Sequence, residues 1–188
     1  MPLQFLLKRR SVVAAQLQEP GPDKAQIIEL IRAAIRVPDH KALTPWRFLV
    51  FTDEARAQFG EAIADIYEKA HKGEFLPRHL VAERNRFLRA PAVIAVISSP
   101  VESEKVPASE QLLSAGASCQ NILHAARALG FSGQWITEWI AYDLQVAALL
   151  RLEENESVAG FIYIGTAQTA PKERPRVEPE DLMSYWKS

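Results

Sequence analysis

The sequence predicts an α+β fold in which helices cover a mixed central sheet. About four apolar segments have the length of a strand, and they lie among five or six helical segments. Strand and helix do not alternate regularly enough for a doubly wound sheet. No Gly-x-Gly-x-x-Gly follows a predicted strand, so a Rossmann dinucleotide site is not expected. With 188 residues, 48% of them hydrophobic, we expect one domain over residues 1–188.

The first elements are a short helix over residues 2–9 and a connector over 16–22 that is rich in proline. Asp23 is typical of a helix N-cap, and Gln26 stands three residues later as its capping-box partner. Apolar residues then recur at helical spacing up to Ile35. Pro38 should end this helix at or before Val37.

The middle of the chain predicts two strands around two helices. Residues 46–51 are aromatic and β-branched, as in a strand, and 53–71 and 78–89 read as helices. Pro91 closes the second of these helices. Residues 92–97 are all apolar, a run typical of a strand that is covered on both faces.

The remaining elements are a long helix, two strands, a shorter helix and a tail. The long helix spans 109–129, with Gly130 as its left-handed cap. Its small side chains from Ser114 to Ser118 would let another backbone approach closely. We expect a strand over 131–136, a helix over 142–152 and a strand over 158–164 closed by Gly165. A charged, proline-rich tail follows.

Composition excludes several classes of function. The formal net charge of -1 argues against nucleic-acid binding, and the longest apolar runs are too short for a membrane span. Cys119 is the only cysteine, which excludes an intrachain disulfide and a multi-cysteine metal site, and its apolar helical neighbours indicate a core residue. The first residues do not have the order of a secretory signal, so we expect a cytoplasmic protein. No P-loop, His-Glu-x-x-His or Gly-x-Ser-x-Gly motif is present.

Three basic clusters indicate a local anion site. They are Arg9-Arg10-Ser11, the segment from Arg36 to His40, and the segment from Lys172 to Arg176. Arginine offers paired N–H donors and serine a hydroxyl, which together suit a phosphate ester. Each cluster also has a simpler explanation. Arginines at helix ends complement the helix dipole, and a loop histidine or a charged tail is commonly just solvated. Trp46 and Trp135 are most simply core aromatics.

The order of these pieces resembles the nitroreductase family of FMN-dependent oxidoreductases, and within it a short bacterial branch. The resemblance covers nearly the whole chain. Its pieces are Arg9-Arg10-Ser11, the helix 23–36, Arg36-Val37-Pro38-Asp39-His40, Pro45-Trp46-Arg47-Phe48, Arg89-Ala90-Pro91, Lys105-Val106-Pro107, Ser114-Ala115-Gly116, Gly133-Gln134-Trp135 and 160–166. Each piece alone is weak, and together and in order they are specific.

The resemblance implies a nitroreductase-like fold and a homodimer with one FMN at each of two sites that both chains build. NAD(P)H would be the reductant, and an electron-poor small molecule such as a nitro compound or quinone the acceptor. The family's FMN contacts match Arg9, Arg10, Ser11, Lys172 and Arg174 at the phosphate and ribityl end, Arg36 and His40 from the other subunit, and Trp135, Ile136 and Thr137 beside flavin N5. The resemblance names no catalytic side chain and no metal ligand.

Two positions depart from the family's pattern. Val13 stands where many members have a lysine near flavin N1. Either Arg84 or Arg86 replaces that cation, or the flavin has a lower reduction potential. Ile136 stands where the most similar relatives have an arginine. Other hypotheses stay open at this point: a flavin carrier without turnover, a dehalogenating or flavin-fragmenting enzyme of the same fold with residues 70–87 as its lid, or an unrelated α+β interaction domain.

Overall fold

The computed structural model describes residues 2–72 and 74–187 and shows a five-stranded sheet between two layers of helices. The helices are α1 (Pro2–Leu7), α2 (Lys24–Ala34), α3 (Asp53–His71), α4 (Pro77–Arg84), α5 (Ala108–Ala128) and α6 (Leu144–Leu149). The strands are β1 (Leu17–Gln18), β2 (Trp46–Phe51), β3 (Ala92–Ser98), β4 (Ser132–Ile136) and β5 (Ser157–Ala167). No helix in the described part of the chain is long and apolar enough to cross a membrane.

The strands run in the order β1-β5-β3-β2, and β4 also pairs with β5. All four strand pairs among the described residues are antiparallel. The α+β class is confirmed, whereas the expected mixed sheet is wrong for this chain. Strand direction depends on how the connections return across the sheet, and residue patterns within a strand do not record it.

The sheet separates two apolar cores because successive side chains of a strand point to opposite faces. In β3, Ile94 and Val96 pack towards α2 and α5, whereas Val93 and Ala95 pack on the other face, towards α3 and α6. Every residue of β3 is buried. Cys119 lies in the first of these cores, and burial raises the pKa of its thiol to about 12. The thiol is therefore a core group, as the sequence predicts.

Local signals in the sequence place most helix ends. The Asp23 carboxylate accepts a 2.8 Å hydrogen bond from the Gln26 amide, and the Gln26 side chain accepts one from the Asp23 amide, which completes the predicted capping box. Gly130 follows α5 with a φ of +89°, a conformation that glycine adopts without steric cost. The last turn of the predicted helix 78–89 is instead a separate 3-10 turn at Phe87–Arg89.

Three further elements differ from the sequence expectation. The predicted helix 142–152 is only Leu144–Leu149. Asp143 caps its start by accepting hydrogen bonds from the Gln145 and Val146 amides, and Arg151 after its end has a φ of +52°. The last strand does not end at Gly165 but continues to Ala167, where it pairs with β1. β1 itself has only two residues and was not predicted. The proposed lid over 70–87 corresponds to the end of α3 and all of α4, apart from Gly73, which lies outside the described residues.

Candidate active site

The N-terminal basic cluster lies against the start of β4. The Val12 amide donates a 3.2 Å hydrogen bond to the Gly133 carbonyl, and the Ala14 amide donates a 2.6 Å bond to the Gln134 side chain. These two hydrogen bonds hold the segment that follows Ser11 against the edge of β4. Arg9, Arg10 and Ser11 are thereby held beside the residues that open the strand.

The C-terminal basic cluster meets the N-terminal one. Arg10 Nε donates a 3.1 Å hydrogen bond to the Lys172 carbonyl oxygen and lies 3.3 Å from the Glu173 carboxylate. Arg174 is close enough to Arg9 to repel it electrostatically. The structure thus brings together the predicted residues Arg9, Arg10, Ser11, Lys172 and Arg174, which come from the two ends of the sequence.

Two further arginines join this group. Arg176 belongs to the predicted C-terminal basic cluster but not to the predicted FMN contacts, and the sequence did not single out Arg127. Arg127 comes from the last turn of α5, where its Nη1 donates a 2.9 Å hydrogen bond to the Phe5 carbonyl and its guanidinium lies over the Phe5 ring. Arg176 is a second electrostatic neighbour of Arg9 and lies 3.8 Å from Glu173. A basic residue at a helix C-terminus is usually explained by the helix dipole, so the pattern alone gave no signal for Arg127.

These segments surround a cavity of about 340 Å³. Its polar walls include four cationic side chains, Lys8, Arg9, Arg10 and Arg127, and one carboxylate, Glu173, which is paired with Arg10. Burial lowers the pKa of Arg9, and the charges of Arg176, Arg10, Arg127 and Arg174 lower it further. Burial and then Arg9 and Arg127 also lower the pKa of His124 nearby. A site at which cations destabilise one another favours a bound anion, so the residues present fit the phosphate of FMN.

The predicted flavin-edge segment lies farther along the same strand. The Trp135 indole packs on Gly160, where a Cβ would come within 2.0 Å of its Nε1, and that nitrogen donates a 3.1 Å hydrogen bond to the Ala159 carbonyl. Trp135 is 38% exposed and so is not a simple core residue. The Ile136 side chain lies on the other face of the sheet, where it packs against the core beneath α3 and α6. Trp135 and Ile136 therefore continue from the basic cavity along β4, and Thr137 follows directly after the strand.

His40 lies in a second cavity of about 410 Å³, at the other end of α5. Its Nδ1 is 2.8 Å from a carboxylate oxygen of Glu110, in the first turn of that helix. Arg127 is in the last turn, roughly 25 Å away because an α-helix rises about 1.5 Å per residue. Within one chain, His40 and the basic cavity are consequently separate. Arg36 is exposed, and its carbonyl oxygen accepts a 3.1 Å hydrogen bond from Asn121.

The loop that carries His40 is strained. Lys41, Ala42 and Thr44 all have positive φ angles, which is uncommon outside glycine. The Asp39 carboxylate stabilises this path by accepting 2.9 Å hydrogen bonds from the Leu43 and Thr44 amides. Such strain is typical of residues whose position is fixed for a function.

The two candidates to replace the missing lysine are both engaged elsewhere. Arg84 Nε donates a 2.9 Å hydrogen bond to Glu61 on the outer helices. Arg86 is buried and binds the carboxylates of Glu83 and Glu138. Val13, at the departing position, is exposed beside the basic cluster.

The small residues of α5 have a partner within the chain. Ser118 Oγ donates a 2.7 Å hydrogen bond to the Ala34 carbonyl, and Ser114 Oγ donates a 2.7 Å bond to the Pro38 carbonyl. These bonds hold α2 and the following loop close to α5. The neighbouring Leu112 and Leu113 are exposed, Leu113 to 74%.

Comparison with known proteins finds similar sequences and similar folds. The model of the nitroreductase family matches residues 6–166. The Escherichia coli (strain K12) protein with the provisional name NAD(P)H nitroreductase YdjA is 32% identical over 185 residues, covering 98% of each chain. The solved nitroreductase-like family protein from Bacillus cereus has a TM-score of 0.82 at 22% identity, covering 100% of this chain and 97% of that one. A variant of the FMN and NADPH-dependent nitroreductase NfnB from sphigopyxis sp. strain HMH has a TM-score of 0.72 at 21% identity, covering 98% of each. The chain belongs to the nitroreductase family.

Proposed function

We propose that this protein is an FMN-dependent oxidoreductase that uses NAD(P)H to reduce electron-poor acceptors such as nitro compounds or quinones. The observation that carries the proposal is the basic cavity, in which arginines from three distant segments converge at the start of β4. FMN, when bound, supplies the redox chemistry by carrying a hydride between the two substrates through N5, in turn.

The basic cavity favours FMN over FAD. FMN ends in one phosphate monoester, which paired arginine donors bind well. Arg9, Arg10, Arg127 and Arg174 would hold that phosphate, with the Ser11 hydroxyl beside them. FAD instead carries a pyrophosphate, which typically binds at a glycine-rich turn that opens a helix. The name of the related NfnB structure, FMN and NADPH-dependent nitroreductase, agrees with this choice.

Residues 135–137 would pass the edge of the flavin ring. Trp135 is held rigidly by its contact with Gly160 and its hydrogen bond to Ala159, so it forms a fixed wall. The Ile136 side chain points into the core, so its contribution comes from the backbone. The protein's role here is to position the ring and exclude water, and none of these residues needs to exchange a proton.

We propose that the site is completed by a second copy of the chain. His40 and the basic cavity are separated by most of the length of α5, so a single chain cannot place both around one ligand. A twofold dimer would bring the His40 end of one protomer to the basic cavity of its partner and would form two identical sites. Leu113, which is exposed and lines the same cavity as His40, and the adjacent exposed Leu112 supply an apolar surface for that contact.

An anaerobic titration tests the proposed function. Purified protein should be yellow, and NADH or NADPH should bleach the visible flavin absorbance. A nitroaromatic compound or a quinone, added afterwards without oxygen, should restore it. A yellow protein that neither nucleotide bleaches would be a flavin carrier, and a colourless protein without bound flavin would contradict the proposal altogether.

A further inference from the structure

Glu138 has an unusual backbone conformation directly after the proposed flavin-edge segment. Its φ is +55° and its ψ is -172°, a combination that is almost restricted to glycine. It lies two residues after Ile136, the last residue of β4. A side chain at such a position destabilises the backbone unless its own contacts compensate.

The Glu138 carboxylate makes those contacts with two arginines. Arg89 binds it with both terminal nitrogens, at 2.9 Å to Oε2 and 3.2 Å to Oε1, and Arg86 Nη1 donates to Oε2 as well. Burial alone would raise the pKa of Glu138, but the two guanidinium groups outweigh it and lower that pKa. The carboxylate is therefore ionised and held from two sides at neutral pH.

The two arginines are themselves fixed by other elements. Arg86 is bound by Glu83 of α4 at 2.7 and 2.5 Å, and both side chains are buried. Arg89 donates a 3.0 Å hydrogen bond to the Tyr163 hydroxyl on β5. The Trp139 indole donates a 3.2 Å bond to Glu83. The carboxylate of Glu138 is thus anchored to α4 and to the centre of the sheet.

The φ angle of Glu138 sets the orientation of the peptide group that joins it to Thr137. Rotation from +55° to an ordinary negative value would turn the Thr137 carbonyl and the Glu138 amide away from their present directions. That peptide group adjoins residues 135–137, which the proposed function places at the flavin edge. A change in its direction would alter the polar groups that face the ring.

We propose that Glu138 is a positioning residue, whose carboxylate, clamped by Arg86 and Arg89, holds the end of β4 in the conformation that fits the flavin. This inference rests on the proposed function. It assigns the Glu83-Arg86-Glu138-Arg89 network a role in setting flavin reactivity, in addition to its contribution to folding.

Alanine and glycine at position 138 separate this role from a purely structural one. Both Glu138→Ala and Glu138→Gly remove the carboxylate, but only glycine adopts the positive φ without a steric penalty. If the backbone conformation matters, glycine should retain flavin reactivity that alanine loses. If only the ion network matters, the two variants should behave alike.

The measurement is the rate of flavin reduction by NAD(P)H in stopped flow, without oxygen, on FMN-loaded dimer. We expect Glu138→Ala to slow reduction about tenfold or more, and Glu138→Gly to recover most of that loss. Glu156→Gln is the matched control, because Glu156 is also a carboxylate bound by an arginine, Arg47, and lies just before β5, away from the proposed flavin edge. It should lower thermal stability and leave the reduction rate unchanged.

Equal rates for the alanine and glycine variants, whether slow or fast, would overturn the inference. Should Glu138→Ala fail to fold, Glu138→Gln keeps the side-chain volume and removes the charge. Reduction at the wild-type rate in that variant would overturn the inference too, whereas a slower rate at full FMN content would support it. A wild-type protein that binds no FMN would contradict the proposed function, which is a different failure.

Discussion

Arg10 donates a 3.1 Å hydrogen bond to the carbonyl oxygen of Lys172, so the basic clusters near the two ends of the chain meet at one place. This bond holds the tail after β5 against the segment after α1. Together with Arg127 from the end of α5, it forms a cavity whose cations repel one another. An anion placed there would relieve that repulsion, which gives the cavity a physical reason to bind phosphate.

Purified protein should release FMN and no FAD when it is heated. The cavity presents many cations to a single phosphate group, and β4 leads from it towards Trp135 without a glycine-rich turn for a pyrophosphate. Chromatography of the supernatant against both standards measures this. Recovery of FAD alone would reject the assignment.

Arg9→Ala should weaken FMN binding more than Arg176→Ala. Arg9 lines the cavity, whereas Arg176 is about half exposed and already lies near Glu173. Loss of a charge-assisted phosphate contact should cost about 1.5–3 kcal/mol of binding free energy. Arg127→Ala should resemble Arg9→Ala, since Arg127 also lines the cavity.

Fluorescence titration of the apoprotein with FMN gives the dissociation constants of these variants. The Arg176→Ala protein is the control, because it removes the same charge from the same neighbourhood. If Arg9→Ala and Arg127→Ala bind FMN no more weakly than the control Arg176→Ala, the cavity is not the phosphate site.

Glu156→Gln should destabilise the fold at neutral pH and much less in acid. Hydrogen bonds from Arg47 are the main cause that lowers the pKa of Glu156 to about 2, against an ordinary value of 4.5, and Ser99 adds to it. The folded pKa is depressed, so this stabilisation is complete above about pH 4.5 and is lost as the pH falls towards 2.

Urea unfolding of wild type and Glu156→Gln at several pH values checks this expectation. The difference in unfolding free energy should be about 1.5–3 kcal/mol near pH 7 and should shrink steadily below pH 4.5. A difference that stays constant down to pH 2 would show that the ion pair is not its source.

Local signals in the sequence were enough for most of the fold. The capping box at Asp23 and Gln26, the glycine after α5 and the apolar run of β3 each depend on neighbours in sequence, and each was predicted. β1 was missed because two residues cannot show an alternating pattern. The prediction of a mixed sheet was wrong because the direction in which strands pair depends on contacts between distant segments.

The candidate site was predictable where the residue types alone indicate an anion-binding site. Arg9, Arg10 and Arg174 stood out as basic clusters, and the structure brings them together. Arg127 did not stand out, because a lone arginine at a helix end has an ordinary explanation. Glu138 could not be found either, since neither its positive φ nor its two arginine partners leave a trace in the local sequence.

The central claim, a flavin site built by two chains, is tested most directly by mixing two inactive variants. Arg9→Ala removes the phosphate contact, and His40→Ala removes the contact proposed to come from the partner. In a mixed dimer, one site carries both lesions and the other carries none. Half of the dimers are mixed after free exchange, so about a quarter of all sites should recover FMN binding.

The measurement is bound FMN per chain after subunit exchange, followed by ultrafiltration and flavin absorbance. Each variant alone, taken through the same exchange, is the control. We predict that the mixture binds clearly more FMN than either variant alone. No gain in the mixture, with exchange shown independently by differently tagged chains, would contradict the shared site, as would a fully FMN-loaded protein that sediments as a monomer.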